Sequence, residues 1–278
     1  GDHRDLHSFP TRRSSDLTTV LATKLPQDLP FLAGLSVLLV AVSVWVSKRE
    51  DAFFKRVWLH RHNGYVAVLL FLLFSGAVSL GAVLRYHLFG AGGFDLGIFA
   101  QMFEHMNNLG VPLNTYERNE LVSHFDTHVS PFFYLLLPGY RLWPHPVYLL
   151  VVQAVAVGSG VFAILGITRR LGFSAAASLP CLLLYTLYPT LSYGCLNDFH
   201  EHKFLAPCLL WVLYFVLSGD NRGLFLSAAV TLSLKEDTPV FLCAIALYMI
   251  LARGEVRRGL VLAGGSLVWG QVATAIGV

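Results

Sequence analysis

The run GYVAVLLFLLFSGAVSLGAVL, residues 64–84, contains no charged side chain. A helix that crosses the roughly 30 Å hydrocarbon core of a bilayer needs about 20 apolar residues, because each residue adds about 1.5 Å. The run meets this requirement, and the apolar runs at 29–46 and 146–168 are of similar length. The sequence therefore predicts a protein built around transmembrane helices.

The composition of the whole chain agrees with this prediction. Of the 278 residues, 55% are hydrophobic and 13% are charged, and the mean hydropathy is +0.60. Soluble domains carry about 25% charged residues, so the surface of this chain is too apolar to face water. The same figures exclude a disordered chain, and a net charge of +3 is too small to indicate a nucleic-acid partner. Membrane lipids are the expected surroundings.

The two ends of the chain differ from its middle. Residues 1–28 read as a non-native or disordered tail, and SFPTRRSSDL within residues 1–17 resembles a translated sequencing adapter. At the other end, the apolar run 259–278 stops with the chain, which predicts truncation at the C-terminus. We expect residues 29–278 to form a single transmembrane domain.

Shorter or less apolar runs complete the predicted helices. Together with the three long runs, they indicate an all-α, polytopic transmembrane helical bundle of about eight membrane segments in the cell membrane. The additional runs lie at 173–190, 204–218, 223–234, 238–252 and 259–278.

The distribution of positive charge predicts the orientation. Lysine and arginine in short loops mark the cytoplasmic side, and an even number of predicted crossings separates successive basic clusters. The polar stretches between the clusters then share the extracytoplasmic side. We name them the first (85–145), second (191–203) and third (235–237) polar segments. The basic clusters lie at 48–61, 169–170, 222 and 253–258.

The first polar segment carries two groups of candidate residues. In GGFDLGIFAQMFEH, Asp95 follows glycines at the predicted start of a helix, where it suits either an N-cap or a catalytic carboxylate. In SHFDTHVSP, His124 and His128 have the i, i+4 spacing of helical metal ligands, and Asp126 lies between them. Either metal binding or a solvated loop fits this second pattern.

The second and third polar segments are dense in ionisable groups. CLNDFHEHKF contains Asp198, His200, Glu201, His202 and Lys203, in either a hydrophilic hairpin or the wall of a shared cavity. LSLKEDTPVF places a charged triplet between two short apolar runs, where it must face a cavity or pair internally. Asp237 also precedes Thr and Pro and can begin a helix.

Four motifs, GGFDLGIFAQ, HVSP, NDFHEH and LKEDTPVFL, occur in this order between apolar runs. In these motifs the chain resembles a family of predicted prokaryotic membrane proteins, domain of unknown function twenty seventy-nine. That family is similar to the GT-C glycosyltransferases. The resemblance implies a membrane enzyme that moves a sugar from a polyprenyl-phosphate donor to an acceptor on the extracytoplasmic side.

The resemblance also implies roles for individual residues. Asp95 stands where GT-C enzymes present an acidic residue in the first outer loop, and would act as the catalytic base. The leaving phosphate needs a cation, which Lys235, Lys203, Arg85, a protonated histidine or a divalent metal could supply. The candidate substrate-binding or supporting residues are Gln101, His124, His128, Asp198, His200, Lys235, Glu236 and Asp237. The candidate metal ligands are Asp126, Glu201 and His202, and for a divalent metal near the phosphate also Asp198, His200 and Glu236.

Two other functions fit the same residues. A transporter or flippase would use a polar, proton-coupled intramembrane cavity without breaking a bond, and broken helices such as 223–252 suit it. A metal-binding membrane protein would use the histidine-rich loops. Detection of sugar transfer, of counterflow in vesicles or of bound metal would distinguish the three.

Overall fold

The computed structural model describes residues 58–91 and 93–276. The tail at 1–28, the predicted span at 29–46 and nearly all of the first basic cluster lie outside these residues. Within them, helices dominate. The α-helices are α1 (Trp58–His87), α2 (Asp95–Leu109), α3 (Phe133–Leu142), α4 (Pro146–Arg170), α5 (Ala175–Thr186), α6 (Pro189–Leu196), α7 (Leu205–Ser218), α8 (Asn221–Leu232), α9 (Pro239–Arg253) and α10 (Val256–Ile276).

The prediction of an all-helical membrane fold is confirmed. Five helical stretches of the described chain are long and apolar enough to cross a membrane. The predicted number of about eight is not confirmed, because α8 and α9 have only 12 and 15 residues. The five stretches are Asn63–His87, Pro146–Arg170, Ala175–Leu196, Glu201–Ser218 and Val256–Ile276.

The first polar segment has its own local structure. It contains α2, α3 and a short antiparallel pair, β1 (Leu113–Asn114) and β2 (Val122–Ser123), in which Leu113 lies opposite Ser123. A 3-10 helix, His124–Asp126, follows β2, and a second one, Glu201–Phe204, lies in the second polar segment. Among residues 58–91 and 93–276, the strand pair is the one departure from the predicted all-α content, and at two residues per strand it leaves the fold class unchanged.

Close helix packing holds the membrane part together. Helix α1 packs along α4, α4 packs along α7, and α9 packs along α10. At Gly158 of α4, a side chain would collide with Ser75 of α1, so the glycine allows these two helices to approach closely. Small residues at helix contacts are a usual device of membrane bundles, since lipid provides no hydrophobic force between helices.

A buried aromatic cluster lies beneath the polar segments. Phe99 of α2 packs against Phe199 of the second polar segment, with ring centroids 5.1 Å apart. Phe133 of α3 lies 5.6 Å from Phe99, and Phe103 completes the cluster. The four rings are almost fully buried. Because they come from both the first and the second polar segment, the cluster fixes these segments relative to each other.

Candidate functional site

A polar cavity of about 440 Å³ opens where the first and second polar segments meet. Its volume lies within the range of about 300–1,000 Å³ that small-molecule sites occupy. The cavity joins a residue from the start of α2 with residues that lie more than a hundred positions later in the sequence. The residues that line it are Asp95, Asn197, Asp198, Phe199, His200, His202 and Lys203.

Asp95 is the first residue of α2 and is exposed to the cavity. The N-cap position belongs to Phe94, which makes no side-chain cap hydrogen bond. The N-cap interpretation of Asp95 is therefore wrong, although a carboxylate in the first helical turn is still favoured by the helix dipole. The ammonium of Lys203 interacts electrostatically with this carboxylate across the cavity.

Two cations hold the second polar segment in place. Lys203 Nζ donates a hydrogen bond to the carbonyl oxygen of Asn197 at 3.1 Å and another to that of Asp198. Arg85, at the end of α1, donates from Nη1 to the carbonyl oxygen of Leu196 at 2.8 Å and to Oδ1 of Asn197 at 2.7 Å. Lys203 lines the cavity, whereas Arg85 reaches it only through its bond to the lining residue Asn197. Both cations already bind protein oxygens.

A glutamine in the membrane helix α4 supports the cavity from below. Gln153 is fully buried, and its side-chain oxygen accepts a hydrogen bond from the backbone N–H of His200 at 2.9 Å. Its side-chain nitrogen donates to the carbonyl oxygen of Cys195 at 3.4 Å. The sequence analysis missed this residue. The sequence signal that could have identified it is an uncharged polar side chain inside an otherwise apolar span. Such a side chain is costly in lipid unless it forms hydrogen bonds within the protein.

The third polar segment binds both of the others through three consecutive side chains. Lys235 Nζ lies 3.5 Å from Oε1 of Glu201. His202 Nε2 lies 3.4 Å from Oδ2 of Asp237. The remaining member, Glu236, reaches the first polar segment. Of the two alternatives expected for this charged triplet, a place on a cavity wall or internal pairing, these contacts show the second.

Glu236 forms the link to the first polar segment. One carboxylate oxygen lies 2.9 Å from His128 Nδ1, and the other accepts a hydrogen bond from the backbone N–H of Val129 at 3.1 Å. A backbone hydrogen bond of 2.9 Å from Phe132 N–H to the Ser233 carbonyl oxygen runs beside them. The three polar segments therefore meet at one end of the bundle. We name the set Lys235, Glu236 and Asp237, with their partners Glu201, His128 and His202, the charged clamp.

Glu201 and Lys235 form the buried part of the charged clamp. The side chain of Glu201 is 1% exposed and that of Lys235 is 11% exposed. His200 Nδ1 lies 3.0 Å from the other oxygen of Glu201. Both His200 and His202 line the cavity. The clamp therefore reaches the cavity wall directly through its member His202, and indirectly through His200, which contacts Glu201.

His124 and Glu117 form a second buried pair in the first polar segment. His124 Nδ1 lies 2.8 Å from Oε1 of Glu117, and the His124 ring packs against Phe99 and Phe133. Burial opposes the charge of Glu117, but hydrogen bonds from His124 and Asn114 outweigh it and lower the pKa of this carboxyl. The role of His124 is thus to hold the loop rather than to line the cavity.

Gln101 and Asp126 lie apart from the cavity wall. The side-chain oxygen of Gln101 accepts hydrogen bonds from the N–H and the hydroxyl of Thr115, at 2.9 and 3.2 Å, and so holds the loop after β1. Asp126 is exposed, and its carbonyl oxygen accepts a hydrogen bond from Arg118. Gln101, a predicted supporting residue, therefore supports the loop after β1, whereas Asp126 does not line the cavity.

The predicted metal ligands are not gathered into one group. Over 58–91 and 93–276, no set of three or more His, Cys, Asp or Glu side chains is arranged to hold a metal ion. Glu201 is engaged by Lys235 and His200, His202 faces Asp237, and Asp126 is exposed. The donor set of these described residues therefore does not fit a metal ion.

Replacing Glu236 with Gln is expected to lower stability at neutral pH by about 1–2 kcal/mol. Hydrogen bonds to charged groups contribute about 1.5–3 kcal/mol, and the partial exposure of the Glu236 side chain reduces this value. Burial opposes its charge, but backbone N–H groups and His128 outweigh burial and lower the pKa of Glu236 below its ordinary 4.5. The stabilisation is therefore complete above the unfolded-state pKa and is lost as the pH falls through the lower folded-state pKa.

Thermal unfolding of the two proteins in nanodiscs, from about pH 7 down to about pH 3, measures this effect. The difference between Glu236→Gln and the unmodified protein is expected to shrink towards zero at the acidic end. Glu120→Gln is the matched control, because Glu120 is an exposed glutamate of the first polar segment, the segment to which Glu236 binds. A difference that stays constant with pH would contradict the assignment.

A model for the family described as Predicted membrane protein (DUF2079) matches residues 85–276. The match includes all three polar segments and the helices between them. No curated protein and no solved structure matches the chain.

Proposed function

The chain belongs to the DUF2079 family of predicted membrane proteins, and we propose that it is a multi-pass membrane glycosyltransferase of GT-C-like type. It moves a sugar from a polyprenyl-phosphate donor to an acceptor on the extracytoplasmic side. The observation that carries the proposal is the polar cavity, in which the Asp95 carboxylate faces a wall of hydrogen-bonding side chains and Lys203.

In the proposed reaction the Asp95 carboxylate is the general base. The acceptor hydroxyl gives its proton to the Asp95 carboxylate as its oxygen bonds to the anomeric carbon of the sugar. The bond from that carbon to the phosphate oxygen breaks, and its electron pair leaves with the polyprenyl phosphate. The transition state resembles an oxocarbenium ion, as in other glycosyl transfers. No other carboxylate is needed for the balance of protons.

Lys203 is the cation best placed for the leaving phosphate. An ammonium has three donors, so one further hydrogen bond is compatible with the two that Lys203 gives to Asn197 and Asp198. Fixed positive charge at the position where negative charge develops is an effective form of catalysis. His200 and His202 line the same cavity and can bond to sugar hydroxyls.

The charge distribution supports the extracytoplasmic side. Helix α4 begins next to the polar segments and ends at Arg169 and Arg170. Helix α9 begins directly after the third polar segment and ends at Arg253. Both helices therefore carry their basic residues at the end away from the cavity, which is the pattern of cytoplasmic loops.

The histidine–carboxylate pairs favour a second candidate, a carrier with a proton-coupled cavity. His128 pairs with Glu236, and His202, which lines the cavity, pairs with Asp237. Ionisable pairs of this kind are expected in proton-coupled carriers. Such a carrier would move an intact substrate, whereas a transferase breaks the donor.

Membrane vesicles that contain the protein separate the two functions. They are given polyprenyl-phosphate hexoses labelled in the sugar, with a mixture of lipid and peptide acceptors. We expect label in a new, donor-free product and the release of polyprenyl phosphate. Movement of intact donor without release would instead establish the carrier, and the absence of both with every donor of the panel would overturn the proposed function.

A further inference from the structure

The turn after α1 presents two apolar side chains to the surroundings. Leu88 is 79% exposed and Phe89 is 96% exposed, directly after the last residue of α1. An exposed phenylalanine in water leaves a large apolar surface hydrated, which is unfavourable. We name residues 88–89 the apolar tip.

The backbone of the apolar tip is strained. Phe89 has a φ of +57°, in the left-handed region that bulky side chains rarely adopt. Hydrogen bonds from Phe89 N–H to the Tyr86 carbonyl oxygen and from Gly90 N–H to the Arg85 carbonyl oxygen hold this conformation. Glycine usually occupies such a position after a helix, so the turn itself does not require an aromatic side chain.

The apolar tip continues a lipid-facing surface of the membrane helix. Leu80 and Leu84 of α1 are 60% and 51% exposed within the candidate span Asn63–His87. Leu88 follows them at the same spacing of four residues, just beyond the end of α1. Its N–H still donates to the carbonyl oxygen of Leu84 at 2.9 Å, as in a helix, so the three side chains lie on one side. The stripe that faces lipid along the span therefore extends into the apolar tip.

Arg85 connects the apolar tip to the polar cavity. Its Nε donates to the carbonyl oxygen of Gly90 at 2.6 Å, and its Nη1 bonds to Leu196 and Asn197 of the cavity side. We name Leu196 and Asn197 the cavity rim. The Arg85 side chain thus links the end of α1 to the residue that follows the apolar tip and to the cavity rim. An arginine at the end of a span is also well placed at the membrane boundary.

We propose that the apolar tip inserts into the lipid interface of the leaflet on the cavity side and anchors the cavity rim at the membrane surface. The partner is the boundary between lipid headgroups and acyl chains, where aromatic side chains are favoured. The insertion offsets both the hydration of the exposed ring and the strain of the Phe89 backbone. This inference does not depend on the reaction that the cavity performs.

Spin labels in nanodiscs test the insertion. Phe89→Cys, Leu84→Cys and Asn119→Cys are each made in a protein whose four cysteines are replaced by alanine, and each is labelled with a nitroxide. Asn119 is the matched control, because it is exposed in the same polar segment and has a similar φ of +55°. Collision with oxygen reports contact with lipid, and collision with a water-soluble nickel chelate reports contact with water.

We expect the ratio of oxygen to nickel accessibility at position 89 to match that at 84 and to exceed that at 119 by about twofold or more. A ratio at 89 equal to that at 119 would overturn the proposal. Phe89→Trp and Asn119→Trp in the unaltered cysteine background give a second measurement. Brominated lipids should quench the added emission of the first and not of the second, and equal quenching would also overturn the insertion.

Discussion

Replacing Asp95 with Asn is expected to lower the rate of sugar transfer by about 10²–10⁴-fold, the range that a general base contributes. The amide has nearly the same size as the carboxylate, so the cavity keeps its shape, but it cannot accept the proton of the acceptor hydroxyl. The initial rate of label transfer in vesicles at saturating donor measures the change. Size-exclusion chromatography confirms that the variant is folded.

Asp126→Asn is the matched control for this experiment. Asp126 is an exposed carboxylate of the same polar segment and does not line the cavity, so its replacement is expected to leave the rate within about twofold. An unchanged rate in Asp95→Asn would contradict the assignment of the base. Equal losses in both variants would contradict it as well, because net charge rather than the carboxylate of the cavity would then be responsible.

The membrane helices could be predicted from the sequence because length and polarity nearly determine them. The run at 64–84 became the span Asn63–His87, and the run at 146–168 became Pro146–Arg170. The helix at 173–190 was harder to predict. The corresponding stretch, Ala175–Leu196, consists of two helices, α5 and α6, separated by Leu187 and Tyr188. Lipid tolerates only helices with internally satisfied backbones, which leaves little choice at long apolar runs.

The meeting of the three polar segments was also predictable, but their individual pairings were not. An even number of crossings between basic clusters places the segments at one end of the bundle. It does not say that His128 binds Glu236, which lies 108 positions later, or that Asp237 binds His202. Those contacts depend on how α3, α7 and α9 pack, and a sequence pattern carries no information on such distances.

The partners of His124 and His128 could not be identified from the residues next to them in the sequence. The spacing of His124 and His128 left both a metal site and a solvated loop open. In the structure the 3-10 turn ends at Asp126, before His128, and each histidine ring contacts a different glutamate. Glu117, the partner of His124, had no distinguishing pattern around it. Its identification needed the three-dimensional return of the chain through β1 and β2.

The second large effect is expected at the buried part of the charged clamp. Replacing Lys235 with Met leaves the Glu201 carboxylate, 1% exposed, without its permanent cation. Loss of one partner of a buried ion pair costs about 3–5 kcal/mol, because a charge remains in a medium that solvates it poorly. Methionine keeps most of the volume of the lysine stem, so the loss reports charge rather than packing.

Thermal unfolding in nanodiscs measures the loss, and a surface pair provides the matched control. Arg253 Nε lies 2.7 Å from Oε1 of Glu255, at the opposite end of α9 and with both side chains more exposed than Glu201. Arg253→Met removes the same kind of charge and is expected to cost about 0–1 kcal/mol. Equal losses at the two positions would contradict the buried ion pair.

A double variant separates a supporting role of Lys235 from direct contact with the donor phosphate. Glu201→Gln together with Lys235→Met removes both charges, so the stability is expected to recover by about 1–3 kcal/mol relative to the sum of the single losses. If Lys235 acts only through the charged clamp, sugar transfer should recover with stability, because Lys203 is the ammonium that lines the cavity. If stability recovers but the KM for the donor stays about tenfold or more above its original value, Lys235 would instead contact the donor phosphate.

The positions of the two ammonium groups favour recovery of both stability and sugar transfer. The Lys235 ammonium lies next to the buried Glu201, whereas Lys203 lines the open cavity.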